Sequence, residues 1–319
     1  LDDFQLVIVK VIEKVIIPNT ITEINERAFS NCTNLKEVEI ADSVTRIRRE
    51  AFCGCSALER VKLPSELKTI EIRVFAECRA LLGIYIPSSV TTIESGAFES
   101  TGLRSITLSD NVTKIDGAFS YCFYLRFVML GKGVESIGHW TFITCESLET
   151  ILIGENVRLI GESAFAGCRS LEEIIIPTNV TQISPEAFDS CENLVSVFIP
   201  DTVTQIDGSA FSDCYSLIDI KLPSGLKAIP YALFYNCYSL TSVEIPASVE
   251  TIDYEVFCHC DSLEYVIFNS PVPPTCVNME NGNIFDNADN CSIYVPAGSV
   301  QAYKTAPYWR EYADRIYAI

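Results

Sequence analysis

The sequence is poor in the residues on which most catalytic sites depend. Only two histidines, His139 and His259, occur among the 319 residues, and neither stands in a nucleophile–base–acid motif. The chain also has no Gly-rich phosphate loop and no His-Glu-x-x-His zinc motif. We therefore expect no enzyme activity, no catalytic residue, no metal and no cofactor.

Basic residues are scarce as well. Lysine and arginine number 23 against 42 aspartates and glutamates, which gives a net charge of −19. Nucleic acids and anionic membrane surfaces are bound mainly through clustered cations, so this balance excludes nucleic acid as a partner. No apolar run approaches the ~20 residues that span a bilayer, and we expect no direct insertion of this chain into a membrane.

What the chain does contain is a repeat of 23 residues. A cysteine follows the recurring phenylalanine by three residues, and a leucine follows it by six, in ten of the eleven units. The phenylalanines, at nine intervals of 23 and one of 21, are Phe29, Phe52, Phe75, Phe98, Phe119, Phe142, Phe165, Phe188, Phe211, Phe234 and Phe257. This period is typical of solenoids, in which a unit too small to enclose a core must stack on its neighbours.

Each unit has the pattern of a strand, a turn, a short helix and another turn. An alternating triplet, such as Val-Glu-Ile at 38–40, favours a strand with one buried face. A proline such as Pro200 then ends the strand, because it has no amide hydrogen. Ser184 and Pro185 match the N-cap and first position of a helix. We expect the recurring Ile, Phe, Cys and Leu to form one continuous buried ladder.

The repeat resembles a known family. The unit that carries every recurring residue contains Ile176-Pro177, Val180-Thr181, Ile183, Ala187-Phe188, Cys191, Leu194 and Val197. This pattern resembles the BspA-like leucine-rich repeats, also called the Treponema-type class, over about residues 15–268. The segment from Cys291 to Lys304, followed by Trp309 and Tyr312, is similar to the C-terminal cap of bacterial surface members of that family.

The resemblance implies a fold and a domain organisation. We expect an α/β solenoid: a right-handed leucine-rich-repeat superhelix of eleven ~23-residue coils. Its parallel sheet would lie on the concave side and its short helices on the other side. Residues 1–14 would be a partial N-terminal repeat or the remnant of a preceding segment, residues 15–268 the solenoid, and residues 269–319 the C-terminal capping region.

The resemblance also implies a class of function. Members are typically bacterial proteins that are secreted or attached to the cell surface, where they serve in adhesion and protein binding. We expect an extracellular or cell-surface location, with any signal or anchor segment outside this chain. The partner would be a host protein or a bacterial surface protein. The alternative is a structural spacer or self-associating array element, in which the partner is a second copy of the chain.

The cysteines allow more than one interpretation. Stacked equivalent cysteines can be buried as small hydrophobic residues or joined in disulfides, and burial is the favoured hypothesis. Cys258 and Cys260 flank His259, which suggests a metal site, although Cys260 should face the core. Cys276 and Cys291 lie in the capping region, and the sequence leaves their pairing open.

One surface departs from the background of the repeat. The middle residue of each triplet should point to solvent, and this row is polar at both ends, with Glu39 and Lys62 before and Lys221 and Glu244 after. Between them the row becomes apolar. We predict a partner-binding surface made of Phe127, Met129, Leu152, Ile175 and Phe198.

Overall fold

The computed structural model of this chain describes residues 11–319. The chain forms two compact units, residues 1–157 and residues 158–319. Each is a solenoid of parallel strands, and the described residues make about 13 turns of ~23 residues. The predicted partial repeat at residues 1–14 lies almost wholly outside the described residues. The domain limits at 14/15 and 268/269 stay predictions.

The first unit is built from short strands in two rows. Its strands are β1 (Lys14–Ile17), β2 (Glu23–Ile24), β3 (Glu37–Ile40), β4 (Arg46–Ile47), β5 (Arg60–Lys62), β6 (Thr69–Ile70), β7 (Thr92–Ile93), β8 (Ser105–Thr107), β9 (Lys114–Ile115), β10 (Phe127–Met129), β11 (Ser136–Ile137) and β12 (Thr150–Leu152). In the row of longer strands, β1 pairs with β3 and β3 with β5, while β8 pairs with β10 and β10 with β12. All these pairs are parallel.

The second unit continues the pattern and holds the described helices. Its strands are β13 (Leu159–Ile160), β14 (Glu173–Ile175), β15 (Gln182–Ile183), β16 (Ser196–Phe198), β17 (Gln205–Ile206), β18 (Asp219–Lys221), β19 (Ala228–Ile229), β20 (Ser242–Ile245), β21 (Thr251–Ile252), β22 (Tyr265–Phe268), β23 (Thr275–Cys276), β24 (Ser292–Val295) and β25 (Ile316–Ala318). The helices are one α-helix, α1 (Val300–Thr305), and 3₁₀ turns at Met279–Asn281, Ala297–Ser299 and Trp309–Arg315. One sheet of this unit has the strand order β14-β16-β18-β20-β22-β24-β25, and all of its neighbouring strands are parallel.

The predicted buried ladder is confirmed within each unit. The rings of Phe29 and Phe52 stack with centroids 5.2 Å apart, and those of Phe188 and Phe211 are 5.4 Å apart. Every repeat phenylalanine from Phe52 to Phe257 is fully buried. The strand triplets alternate as expected, because Val38 and Ile40 are buried while Glu39 between them is exposed.

The prediction of a short helix in each repeat is wrong. The amide N–H groups of Phe29 and Asn31 donate to the carbonyls of Ala51 and Cys53 in the next coil, at 2.8 Å and 2.7 Å. The N–H group between them, that of Ser30, donates back to a carbonyl three residues earlier, at 3.1 Å. Every second amide therefore bonds to a neighbouring coil, whereas a helix would use all of them internally. Ser184 and Pro185 lie in such turns.

Backbone conformation gives the physical reason for the turns. The residues two before and two after the repeat phenylalanine have positive φ in all eleven units, as at Arg27 (56°) and Asn31 (60°) around Phe29. Two left-handed residues four positions apart are incompatible with a right-handed helix. They rotate successive peptide planes so that alternate N–H groups point along the solenoid axis.

The ladder cysteines have a polar role in addition to their burial. The Sγ of Cys78 donates to the carbonyl of Phe52 in the preceding coil at 3.3 Å, and Cys214 contacts Phe188 in the same way at 3.3 Å. The same bond is made by Cys55, Cys122, Cys145, Cys191, Cys237 and Cys260. All fourteen cysteines are free thiols. The predicted buried column is confirmed, and this weak S–H donor explains why cysteine recurs there.

An aromatic cluster covers the last rung of the core in the second unit. The Trp309 ring lies edge-on against Phe268 and Tyr303, with centroids 4.9 Å and 5.1 Å away. The Trp309 Nε1 donates to the carbonyl of Pro274 at 2.8 Å, and the Tyr303 hydroxyl donates to that of Ser270 at 3.0 Å. Both aromatic polar groups are therefore satisfied while their rings are buried.

Candidate functional site

The first unit carries three residues of the predicted surface. Met129 on β10 lies in register with Leu152 on β12, and both side chains are exposed, at 38 % and 49 %. Phe127 lies two residues before Met129 on the same strand face and is half-buried. Val128 between them is fully buried. The alternation of the strand thus separates core residues from residues that only solvent or a partner can contact.

The second unit carries the other two residues. Ile175 on β14 lies in register with Phe198 on β16, and these side chains are 72 % and 60 % exposed. Their neighbours Ile174 and Val197 point inward and are buried. The structure thus brings Phe127, Met129 and Leu152 together in one unit, and pairs Ile175 with Phe198 in the other.

The row returns to charged residues beyond Phe198. Lys221 on β18 lies in register with Glu244 on β20, and both are exposed. Lys221 and Glu244 occupy positions equivalent to those of Ile175 and Phe198 in the same sheet. Strand formation at these positions therefore does not require large apolar side chains. The apolar residues are therefore a local feature of the sequence, and they provide hydrophobic contact area without charge.

The two units differ strongly in charge. Residues 1–157 hold 16 lysines and arginines against 21 acidic residues, a net charge of −5, whereas residues 158–319 hold 7 against 21, a net charge of −14. In the first unit many cations pair with acids one coil away, as Arg27 does with Glu50 and Arg126 with Glu149. The hydrogen bond from Arg27, followed by that from Arg49, lowers the pKa of Glu50 to about 2.

In the second unit, burial next to a like charge raises the pKa of a carboxyl group. Burial raises the pKa of Asp189, and the neighbouring Asp213 adds to this rise, against the hydrogen bond from Ser190. The Ser190 hydroxyl donates to the Asp189 carboxylate at 2.9 Å. The net charge of −14 on the second unit would repel a strongly negative protein surface, whereas it would not repel a neutral or basic one.

The Cys-His-Cys segment does not assemble a metal centre. Cys258 and Cys260 are buried, and burial raises the pKa of Cys258 to about 11. The His259 Nε2 lies 3.4 Å from the Asn287 side-chain amide, and its ring packs edge-on against Tyr235. Within residues 11–319, no three His, Cys, Asp or Glu side chains are placed to hold a metal ion together.

Sequence reasoning did not single out two other exposed aromatic groups. Tyr85 is 78 % exposed and stands in the same outward row as Met129, so its position in the repeat could have indicated it. Tyr265, Tyr294 and Tyr317 lie on β22, β24 and β25 with neighbouring ring centroids about 6 Å apart. The repeat pattern could not have indicated Tyr317, because β25 lies outside the repeats.

Comparison with known proteins follows from this architecture. A family model described as a BspA type leucine rich repeat region (6 copies) matches residues 9–118, 116–234 and 182–301. The chain belongs to this family. The resemblance indicated by the repeat is thereby confirmed. Leucine-rich repeat proteins of this kind are generally protein-interaction modules and typically non-enzymatic scaffolds.

Several solved structures of bacterial proteins are similar to this BspA-type chain. A leucine-rich repeat protein from Bacteroides ovatus is 24 % identical with a TM-score of 0.57, and the match covers 96 % of this chain and 92 % of that one. A leucine-rich cell surface protein from Faecalibacterium prausnitzii is 29 % identical with a TM-score of 0.55, covering 89 % and 87 %. The pneumococcal vaccine antigen PcpA shares the fold at 17 % identity, with a TM-score of 0.53 and coverage of 96 % and 87 %.

A search of curated proteins gives no match to this BspA-type chain. None of the helices among residues 11–319 is both long and apolar enough to cross a membrane.

Proposed function

We propose that this BspA-type protein is a non-enzymatic binding module, secreted or displayed on a bacterial cell surface, that recognises another protein. Its contact residues are the apolar members of the outward row, which are Phe127, Met129 and Leu152 in the first unit and Ile175 and Phe198 in the second. The observation that carries the proposal is that Ile175 and Phe198, in register, are 72 % and 60 % exposed in a row whose next rungs are charged.

Physical chemistry supports a contact at these residues. Large apolar side chains on exposed strands promote aggregation, so a row that carries several of them gains from a partner that removes them from water. Such burial contributes about 25 cal/mol per Å² of apolar area. The acidic net charge of −19 favours a neutral or basic protein surface as that partner.

The comparisons support the location. The Faecalibacterium prausnitzii relative, 29 % identical over most of both chains, is described as a cell surface protein. PcpA, which shares the fold, is a pneumococcal vaccine antigen. Adhesion to a host protein or to another bacterial surface protein is the function that fits such a location.

Two double variants test the proposal. Leu152→Thr with Ile175→Thr should keep the fold, because threonine suits a strand, and should abolish adhesion to surfaces coated with matrix or bacterial surface proteins. Lys221→Thr with Glu244→Thr is the matched control, since it places the same residue at exposed positions of the same row. Unchanged melting temperatures would verify folding of both variants.

The same variants separate recognition from self-association. Sedimentation velocity would show a dimer or larger species if a second copy of the chain covers the row, and the Leu152/Ile175 variant would then be a monomer. In that case the alternative role, a spacer or array element, replaces adhesion. If the folded Leu152/Ile175 variant adheres and associates as the wild type does, the row is not the functional surface.

A further inference from the structure

The row of longer strands in the first unit is interrupted at one coil. β1, β3 and β5 pair in sequence, and so do β8, β10 and β12, but the coil between β5 and β8 contributes no strand to this row. Its triplet, residues 84–86, has the sequence Ile-Tyr-Ile, which is as strand-forming as its neighbours. The preceding residue is Gly83, where the adjacent coils have Arg60 and Ser105. A glycine weakens a strand because it adds backbone freedom and packs no side chain.

The interruption leaves backbone groups without partners. Within residues 11–319, the amides of residues 82–86 donate no hydrogen bond, and of their carbonyls only that of Leu82 accepts one, from Arg104 at 3.1 Å. In the equivalent stretch two coils later, the amides of Arg126 and Leu130 donate to Arg104 and Leu152, both at 2.9 Å. Backbone donors and acceptors in a sheet are normally paired. Residues 82–86 therefore present an extended set of free donors and acceptors.

Side chains around the interruption form a recess in which Val61 and Ile84 supply apolar surface among charged residues. Val61 and Ile84 occupy inward positions of the triplet, yet both are half-exposed, whereas the equivalent Val38 and Ile106 are buried. A cavity of about 460 Å³ lies over them, bounded by β3, β5 and residues 83–85. This volume is within the ~300–1,000 Å³ of ordinary ligand sites.

A second cavity adjoins the first and shares Val61 and Lys62 with it. Tyr85 lines both, and it is the most exposed large apolar or aromatic residue among residues 11–319. The second cavity measures about 380 Å³ and is also lined by Asp42, Ser65 and Ser88. The two recesses thus adjoin at one exposed aromatic side chain.

The charges at this place are of both signs, because Glu37, Glu39 and Glu59 line the first cavity together with Arg60 and Lys62, and Lys62 helps to lower the pKa of Asp42 beside the second cavity. Arg60 pairs with Glu37 at 2.9 Å, and Lys14 pairs with Glu37 and with Glu39. Lys62, which lines both cavities, forms no ion pair with any residue in the described range 11–319. A cation beside an aromatic ring and unpaired backbone amides is suited to a ligand that carries a carboxylate.

We propose that this interruption is a second binding site, which takes an extended peptide segment through main-chain hydrogen bonds to residues 82–86. The backbone of an extended peptide carries alternating N–H and C=O groups, which can pair with the free carbonyls and amides of residues 82–86. An apolar side chain of the peptide contacts Val61 and Ile84, and an adjacent glutamate or aspartate pairs with Lys62. The site lies wholly in the first unit, and it includes none of the apolar contact residues proposed above.

Hydrogen exchange tests the free protein first. Amides 82–86 should exchange rapidly, whereas the paired amides of β10 in the same unit should be protected, because exchange follows the opening of hydrogen bonds. Protection of residues 82–86 to the level of β10 in the free protein would overturn the proposal, since the donors would then already have partners.

Peptide binding tests the ligand class. The probe is acetyl-Thr-Val-Thr-Val-Glu-Val-amide at about 1 mM, which detects affinities as weak as millimolar Kd. It should slow the exchange of amides 82–86, and the same peptide N-methylated at its valines should not, because it has lost those main-chain donors. Equal effects of both peptides, or no effect of either, would contradict the proposal.

A charge variant tests the role of Lys62. Lys62→Gln should weaken binding of the glutamate probe by about tenfold, which is within the range of one charge-assisted hydrogen bond. It should not weaken binding of a probe with glutamine in place of glutamate. Lys68→Gln is the matched control, because Lys68 is also exposed but lines neither cavity. If Lys62→Gln binds both probes as the wild type does, the carboxylate is not recognised there.

Discussion

At the scale of single residues, the repeat phenylalanine links each coil to its neighbours. Phe188 is fully buried, and its ring stacks on Phe165 at 5.3 Å and on Phe211 at 5.4 Å. Its carbonyl also accepts the thiol of Cys214 in the next coil. One residue therefore combines hydrophobic contact in both directions with a polar bond along the solenoid axis.

We expect Phe188→Ala to lower the free energy of unfolding by about 3–5 kcal/mol, through lost burial and the cavity left behind. Phe198→Ala is the control, because the exposed Phe198 should change stability by only about 0.5 kcal/mol or less. Urea titrations of both variants measure the difference. Equal losses would mean that the buried ladder does not dominate stability.

At the scale of elements, each coil depends on two left-handed residues. Most of these positions are occupied by glycine or by residues that are not β-branched. Thr144, with φ of 56°, is β-branched. A β-branched residue in this region is an outlier, because its side chain crowds the backbone. The turn persists there because the carbonyls of Thr141 and Ile143 accept hydrogen bonds from Phe119 and Tyr121 of the preceding coil, at 3.0 Å and 2.8 Å.

Thr144→Gly should therefore raise the free energy of unfolding by about 1 kcal/mol, since glycine adopts positive φ without strain. Thr150→Gly makes the same substitution at an exposed position of β12 and should lower it by about 1 kcal/mol, because glycine weakens a strand. Melting temperatures compare the two. A loss of stability in both variants would show that the turn is not strained at Thr144.

At the scale of the whole molecule, acid should destabilise the fold through carboxylates that are engaged in both units. The backbone amide of Ser65 lowers the pKa of Asp42, and that of Ser224 lowers the pKa of Asp201. Together with Glu50, these groups bind protons less readily when folded than when unfolded. Their stabilising effect is complete above the unfolded pKa and disappears as pH falls through the folded pKa.

For Glu50 the relevant pH window runs from its ordinary pKa of 4.5 down to its lowered pKa of about 2. Glu50→Gln should lower the melting temperature at pH 7, and this difference from the wild type should shrink toward zero as pH approaches 2. Glu135→Gln is the control, since Glu135 forms no ion pair with the described residues 11–319. A Glu50→Gln difference that does not vary with pH would exclude this linkage.

Part of the candidate surface could be predicted because strands alternate. The exposure of Met129, Leu152, Ile175 and Phe198 followed from their place in the middle of each triplet, and the structure confirms it. Phe127, which directly precedes its triplet, is only half-buried. Whether these residues bind a partner stays a proposal.

The sequence by itself determined the period, the stacked fold and the residues that enter the core. These follow from apolar spacing, because a 23-residue unit can bury Phe, Cys, Ile and Leu only by repeating them in register. Only the tertiary structure decided the turns that replace the expected helices and the interruption at Gly83. Both depend on hydrogen bonds between residues about 23 positions apart, and local propensity carries no information about such partners.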